Sequence, residues 1–186
     1  MSLIGNIRLQ IANHVLRRKL AGRSREVAAC NLEEAKSVGV LFNVDDERTY
    51  KTVKSYVNRL REEGIPKVMA LGYVDQKNVP TYLPYRVYFD FFSRADINKL
   101  MIPSCPATEN FLALQYDVLI DLSDDDCFPT QYLLALADAR LKVGKQCPPK
   151  NRYYDLRMEI REVKTTGYLI EQVDHYLRML NKNEQK

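Results

Sequence analysis

The sequence contains few of the residues that build the commonest catalytic and metal sites. Its two histidines, His14 and His175, lie far apart, which leaves little material for a histidine-rich zinc site or a histidine-driven catalytic triad. None of its four cysteines forms a C-x-x-C pair, and a chain of 186 residues can fold without disulfides. Free thiols in a reducing compartment are therefore expected.

Long hydrophobic runs and glycine-rich motifs are missing as well. The longest apolar run, 132–137, has about six residues, whereas a membrane-spanning helix needs ~20. The seven glycines form neither G-x-G-x-x-G nor a G-x-x-x-x-G-K-[ST] loop, and G-x-S-x-G is absent. These absences disfavour a dinucleotide-dependent oxidoreductase, a P-loop nucleotidase and a serine esterase. The first residues also carry no signal-peptide pattern, which predicts a cytoplasmic location.

Positive charge is present but unevenly distributed. The chain holds 28 Lys+Arg and 24 Asp+Glu, a formal charge of +4. Residues 1–25 contain six of the bases and no acid, so residues 26–186 hold 22 bases and 24 acids, a charge of −2. Because the body is mildly acidic, nucleic-acid binding by the domain as a whole is not expected. The pattern predicts a basic N-terminal helix, 1–25, followed by a single α/β domain, 26–186.

The predicted N-terminal helix has two apolar stripes at helical spacing. The first stripe holds Ile4, Ile7, Ile11 and Val15, and the second holds Leu9, Leu16 and Leu20. A helix that is apolar on two sides needs two packing surfaces, which predicts that one side docks on the domain and the other meets a second copy in a homodimer. The alternative is peripheral association of this basic helix with anionic lipid.

The remaining chain alternates short apolar runs with amphipathic segments, which is typical of an α/β fold. Ser93 is placed to begin a short helix that continues through Leu100. We predict an α/β Rossmann-like three-layer sandwich with a mostly parallel sheet of five to six strands. The predicted strands are 38–42, 67–73, 85–92, 116–122, 141–143 and about 154–160.

Polar residues follow the two strands that are expected to be central, 38–42 and 116–122. Ligands of open α/β sheets bind outside the carboxyl ends of such strands. Carboxylates that converge there suit Mg²⁺ or Mn²⁺ shared with a substrate phosphate, and the predicted metal ligands are Asp121, Asp124 and Asp126. The competing interpretation is that these acids cap helices and stay in water. The predicted ligand-binding residues are Asn43, Asp45, Asp46, Asp121, Ser123 and Lys145.

Several segments carry a resemblance to known families. The runs 38–42 (VGVLF), 70–74 (ALGYV) and 116–122 (YDVLIDL) resemble those of an uncharacterised family of small single-domain proteins from Bacteroidetes-type bacteria, and the likeness covers nearly the whole chain. That family implies no activity and no catalytic residues. Locally, 116–144 is similar to part of the N-terminal domain of heptosyltransferase-type glycosyltransferases, which need a second domain for the sugar nucleotide.

Three functional hypotheses follow. The first is a cytoplasmic α/β module that binds a small ligand or a protein partner without a recognisable catalytic set. The second is a metal-dependent enzyme that acts on a phosphorylated or nucleotide-type substrate at the acidic ends of the central strands. The third is association with anionic lipid through the N-terminal helix.

Overall fold

The structure is a computed structural model that describes residues 3–84, 87–123, 127–160 and 165–180. This part of the chain contains five α-helices and six strands. The helices are α1 (Leu3–Leu20), α2 (Glu47–Glu62), α3 (Pro106–Ala113), α4 (Phe128–Leu136) and α5 (Thr166–Met179). The strands are β1 (Ser37–Asn43), β2 (Lys67–Val74), β3 (Phe89–Ser93), β4 (Gln115–Asp121), β5 (Asp138–Lys145) and β6 (Leu156–Met158).

The six strands form one parallel sheet in the order β3-β2-β1-β4-β5-β6. In the register of the central strands, Val40 lies between Ala70 of β2 and Ile120 of β4. This is the strand order of dinucleotide-binding Rossmann folds. Successive strands are added on one side of β1 up to β3 and on its other side from β4 onwards, so the order reverses between β1 and β4. The predicted α/β Rossmann-like sandwich is confirmed.

Both faces of the sheet are covered by helices. Val40 and its even-numbered neighbours on β1 pack with α2 and α5, whereas Leu41 points to the opposite face and packs with α1, α3 and α4. Because successive side chains of a strand point to opposite faces, a strand covered on both sides is a continuous apolar run. That is why 38–42 was recognisable as a central strand.

The ends of α2 follow from short-range chemistry. Asp46 begins the helix, and its side chain accepts a hydrogen bond from the backbone N–H of Thr49 at 2.7 Å. This bond holds the pKa of Asp46 below its usual range. At the other end Gly64 has a φ of 98°, in the left-handed region that favours glycine and stops the helix.

Helix α1 packs against α4 through its second apolar stripe. Ala12 and Leu16 are fully buried in the cluster that also contains α4, and Leu9 packs at the edge of that cluster. Ile7 and Ile11, from the first stripe, are 50% and 44% exposed. The prediction that this exposed stripe meets a second copy, or anionic lipid, stays a prediction.

Two predicted elements differ from the structure. Strand β3 begins at Phe89 rather than at residue 85, because residues 87 and 88 form a turn and residues 85 and 86 lie outside the described part. Ser93 does cap a turn, but only a three-residue 3-10 turn, Arg94–Asp96. The predicted helix through Leu100 is wrong because the side chain of Asn98 accepts the backbone N–H of Leu100 and closes a tight loop instead.

The sixth strand is shorter than predicted, because only Leu156–Met158 pair with β5. Among the helices of the described residues, none is both long enough and apolar enough to cross a membrane.

Candidate functional site

A crevice of about 640 Å³ lies at the carboxyl ends of β1 and β2, between the β1–α2 loop and the start of α4. The strand order reverses next to this crevice, between β1 and β4, and ligands of open α/β sheets bind near such a point. Its volume is in the range of small-molecule pockets, ~300–1,000 Å³. The polar residues that line it are Asn43, Asp45, Tyr73, Asp75, Arg94 and Asn98. We call this space the switch-point crevice.

Asn43 is the last residue of β1 and lies beside Tyr73 at the end of β2. Its side-chain oxygen, Oδ1, is buried, and no hydrogen-bond donor among the described residues reaches it. Buried polar atoms in folded proteins almost always have a partner, and an unpaired one costs ~1–3 kcal/mol. Asn43 thus brings an unpaired, buried acceptor to the set of residues that line the crevice.

Tyr73, Asp75 and Arg94 form a hydrogen-bonded polar group in the lining of the crevice. The Arg94 guanidinium donates from Nε and Nη2 to the two oxygens of Asp75, at 2.7 and 2.8 Å, and the Tyr73 hydroxyl donates to Asp75 Oδ1 at 2.8 Å. Arg94 holds the pKa of Asp75 below its usual range, while burial and the bond to Asp75 raise the pKa of Tyr73. Asp75 is thus a carboxylate and Tyr73 a neutral phenol.

A loop after β3 forms the rim of the crevice. In this loop, Oδ1 of Asn98 accepts hydrogen bonds from the backbone N–H groups of Leu100 and Ile102, at 2.8 and 3.2 Å. Met101 in this loop has a φ of 61°, a left-handed conformation that is strained for a residue with a β-carbon. Such a strained conformation persists only where the surrounding structure enforces it, and Met101 lies at the rim of the candidate site.

Cys127 lies where α4 begins and lines the crevice together with Phe128 and Pro129. Burial raises the pKa of the Cys127 thiol. A thiol rather than a thiolate is a poor nucleophile, which agrees with the acidic sequence that precedes it. The N-terminus of α4 thus contributes backbone and apolar contacts and no reactive group.

Behind the crevice, Asp121 forms a closed polar cluster with Ser123, Lys150 and Tyr154. Asp121 and Lys150 are each 0% exposed. Asp121 Oδ2 accepts from Lys150 Nζ at 3.1 Å and from the Tyr154 hydroxyl at 2.7 Å, and its Oδ1 accepts from the backbone N–H and the hydroxyl of Ser123. Lys150 Nζ also donates to Ser123 Oγ.

The four bonds to Asp121 occupy both of its oxygens, and a carboxylate has room for about four such partners. A metal ion at Asp121 would have to replace one of these donors. In the described part of the chain, no three His, Cys, Asp or Glu residues are grouped closely enough to hold a metal. Asp124, Asp125 and Asp126 lie outside the described residues, so the predicted Mg²⁺ or Mn²⁺ site stays a prediction.

The predicted ligand-binding residues lie in four different places. Asn43 and Asp45 line the crevice, whereas Asp121 and Ser123 lie in the buried cluster behind it. Asp46 caps α2 and is not among the residues that line the crevice. For this residue the structure agrees with the competing interpretation, in which the acids cap helices. Lys145 ends β5, two strands away from β1.

Sequence reasoning missed Tyr73, Asp75 and Arg94 as members of the site. Each of these residues ends or closely follows a predicted strand. They could have been found by looking for polar residues at the carboxyl ends of β2 and β3 as well as of β1 and β4. It also missed Lys150 and Tyr154 as the partners of Asp121. Their loop has no periodic pattern, and only the fold brings it to β4.

Comparison with family models gives one match. Residues 8–180 match the model of a family of unknown function, DUF6913. Neither the curated proteins nor the solved structures contain a match to this chain. The similarity of 116–144 to heptosyltransferase-type enzymes therefore has no support from these comparisons and stays a prediction.

Proposed function

The chain belongs to DUF6913, a family of unknown function, and from the site itself we propose that it is a ligand-binding module. The proposed ligand is a small neutral or cationic molecule, rich in N–H or O–H donors, that binds in the switch-point crevice. We propose no catalytic step, and a cytoplasmic location suits the four free cysteines.

The observation that carries this proposal is the buried, unpaired Oδ1 of Asn43. An acceptor at this position is satisfied by a donor that enters the crevice. The same position at the carboxyl end of a central strand, next to the reversal of strand order, is where other folds of this topology contact their ligands. Acceptor and location therefore point to the same space.

The charges of the crevice favour donors over anions. Its lining contains two carboxylates, Asp45 and Asp75, and one cation, Arg94, whose bidentate pair with Asp75 occupies two of its N–H groups. A polyol, a nucleoside or an amine suits such a lining, whereas a phosphate would meet only a cation that is already paired. Apolar contacts come from Ile97, Met101 and Phe128.

A thermal-shift panel of sugars, nucleosides and amines tests the proposal, because a ligand that binds only the folded state raises the melting temperature. We expect at least one class to stabilise the protein. Titration calorimetry with that compound then compares Asn43→Ala with wild type. Loss of one buried hydrogen bond, ~1–3 kcal/mol, is expected to weaken binding by about 5- to 150-fold.

Asn110→Ala is the matched control, since Asn110 is an exposed asparagine on α3 away from the crevice. Its affinity is expected to equal that of wild type. Equal affinity of Asn43→Ala and wild type, or no stabilisation by any class, refutes the proposal. Each compound is also measured with Mg²⁺ or Mn²⁺ added, and stabilisation that requires the metal favours the metal-dependent enzyme instead.

A further inference from the structure

A second cavity, of about 480 Å³, lies at the opposite edge of the sheet, at the amino ends of β4 and β5. It shares no lining residue with the switch-point crevice. Four cations line it: Arg23, Arg25, Lys142 and Arg152. We propose that this space, the basic cavity, binds a phosphate-type oxyanion.

Lys142 is the buried anchor of the basic cavity. It lies in the middle of β5, is 3% exposed, and its Nζ donates to the carbonyl oxygens of Leu134 and Ala135 at 2.7 and 3.2 Å. These carbonyls belong to the last turn of α4, which has no intrahelical partners for them. An ammonium has three donors, so one remains for a ligand after these two bonds.

The two arginines of the α1–β1 connector are fixed on neighbouring carbonyls. Arg23 Nη1 donates to the carbonyl of Leu136 at 3.0 Å, and Arg25 Nη1 donates to that of Ala139 at 2.6 Å. Arg25 also pairs with both oxygens of Asp155. Main-chain carbonyls thus position Arg23 and Lys142 without neutralising their charge.

The basic cavity therefore holds an excess of positive charge. After Arg25 is paired with Asp155, the lining retains Arg23, Lys142 and Arg152 against one acid, Asp138, a formal charge of +2 when Lys142 is protonated. The C-terminus of α4 offsets about half a charge. Arg152 stacks on the Tyr153 ring, with its guanidinium carbon 5.4 Å from the ring centroid, and forms no ion pair within the described residues.

The pKa of Lys142 reflects its burial first and the neighbouring charges second, of which Asp155 and Asp138 act against the arginines. Burial, and next the charge of Arg25, lower the pKa of Lys142 to about 7. A bound anion would raise this pKa again by pairing with the ammonium. Guanidinium groups match the oxygens of phosphate in a forked geometry, and the volume suits a phosphate ester as well as the free ion.

Titration calorimetry with inorganic phosphate, a sugar phosphate and sulfate tests the proposal. We expect saturable binding, weakened at least tenfold in Arg152→Gln and unchanged in Arg157→Gln, an exposed cation on β6 outside the cavity. A sugar phosphate that binds more tightly than phosphate identifies an ester as the ligand, and equal binding identifies the free ion. Both results support the site.

Sulfate keeps its charge over the working pH range, so its affinity reports the protonation of Lys142. We expect sulfate to bind more tightly as the pH falls from 8.5 to about 6, and Lys142→Met to remove this dependence. Arg152 is exposed, so Arg152→Gln keeps the test informative if Lys142→Met fails to fold. Absence of saturable binding, or equal loss of affinity in Arg152→Gln and Arg157→Gln, overturns the proposal.

Discussion

Replacement of Lys150 by methionine tests whether the buried cluster around Asp121 holds the β5–β6 loop on the sheet. Lys150 Nζ and Asp121 Oδ2 are 3.1 Å apart, and both side chains are 0% exposed. Removing one partner of such a pair leaves the other charge buried without compensation, which costs about 3–5 kcal/mol. In a chain of this size, that corresponds to a fall in melting temperature of about 6–20 °C.

Urea unfolding of four proteins measures this effect: wild type, Lys150→Met, Asp121→Asn and the double variant. We expect each single variant to lose several kcal/mol, and the double variant to lose less than the sum, because no charge is then stranded. Tyr154→Phe is the milder variant, since it removes one bond of 2.7 Å to Asp121 and is expected to cost about 1–2 kcal/mol. A Lys150→Met protein within about 0.5 kcal/mol of wild type, or additive losses, would show that the pair does not stabilise the fold.

Three further predictions concern stability and assembly. The pKa of Lys142 is about 7 in the folded protein, against an ordinary value of 10.5, so between these pH values the unfolded chain holds one more proton than the folded protein. The free energy of unfolding is therefore expected to rise with pH by at most about 1.4 kcal/mol per pH unit. Urea titrations at pH 7 and 9 measure this rise, which Lys142→Met is expected to abolish. Gly144→Ala places a β-carbon 2.6 Å from Cε1 of the Tyr154 ring, and a loss of about 1–3 kcal/mol is expected in the same assay; an unchanged midpoint contradicts this. If α1 joins two copies, light scattering will give a dimer for wild type and a monomer for the double variant Ile7→Ser/Ile11→Ser, whereas a wild-type monomer at every concentration rules the dimer out.

Much of the fold could be predicted from short-range patterns. Strand 38–42 was identifiable because both faces of β1 are covered, and the end of α2 because Gly64 takes a positive φ. The helix expected from Ser93 to Leu100 failed because Asn98 closes a loop through its own side chain. Asparagine side chains can hydrogen-bond to nearby backbone N–H groups and so compete with helix formation. The spacing of apolar residues in the sequence does not show which of the two will form.

The candidate site was only partly predictable. Asn43 and Asp45 line the switch-point crevice because their positions follow from the end of a recognisable strand, and their role in ligand binding stays a prediction. The partners Tyr73 and Arg94 depend on which strands are neighbours. Lys142 lies in the predicted strand 141–143, but only the structure shows that its side chain reaches the carbonyls at the end of α4 and lines the basic cavity.

The sequence alone determined the alternation of strands and helices and the separation of a +6 segment from a −2 body, because hydrophobic periodicity and charge are local properties of the chain. The tertiary structure decided which polar groups meet. It buries Asp121 against Lys150, which lies 29 residues away, and gathers the basic cavity from the connector, α4 and β5. Burial gives these contacts their energy, and burial is set only when distant segments pack together.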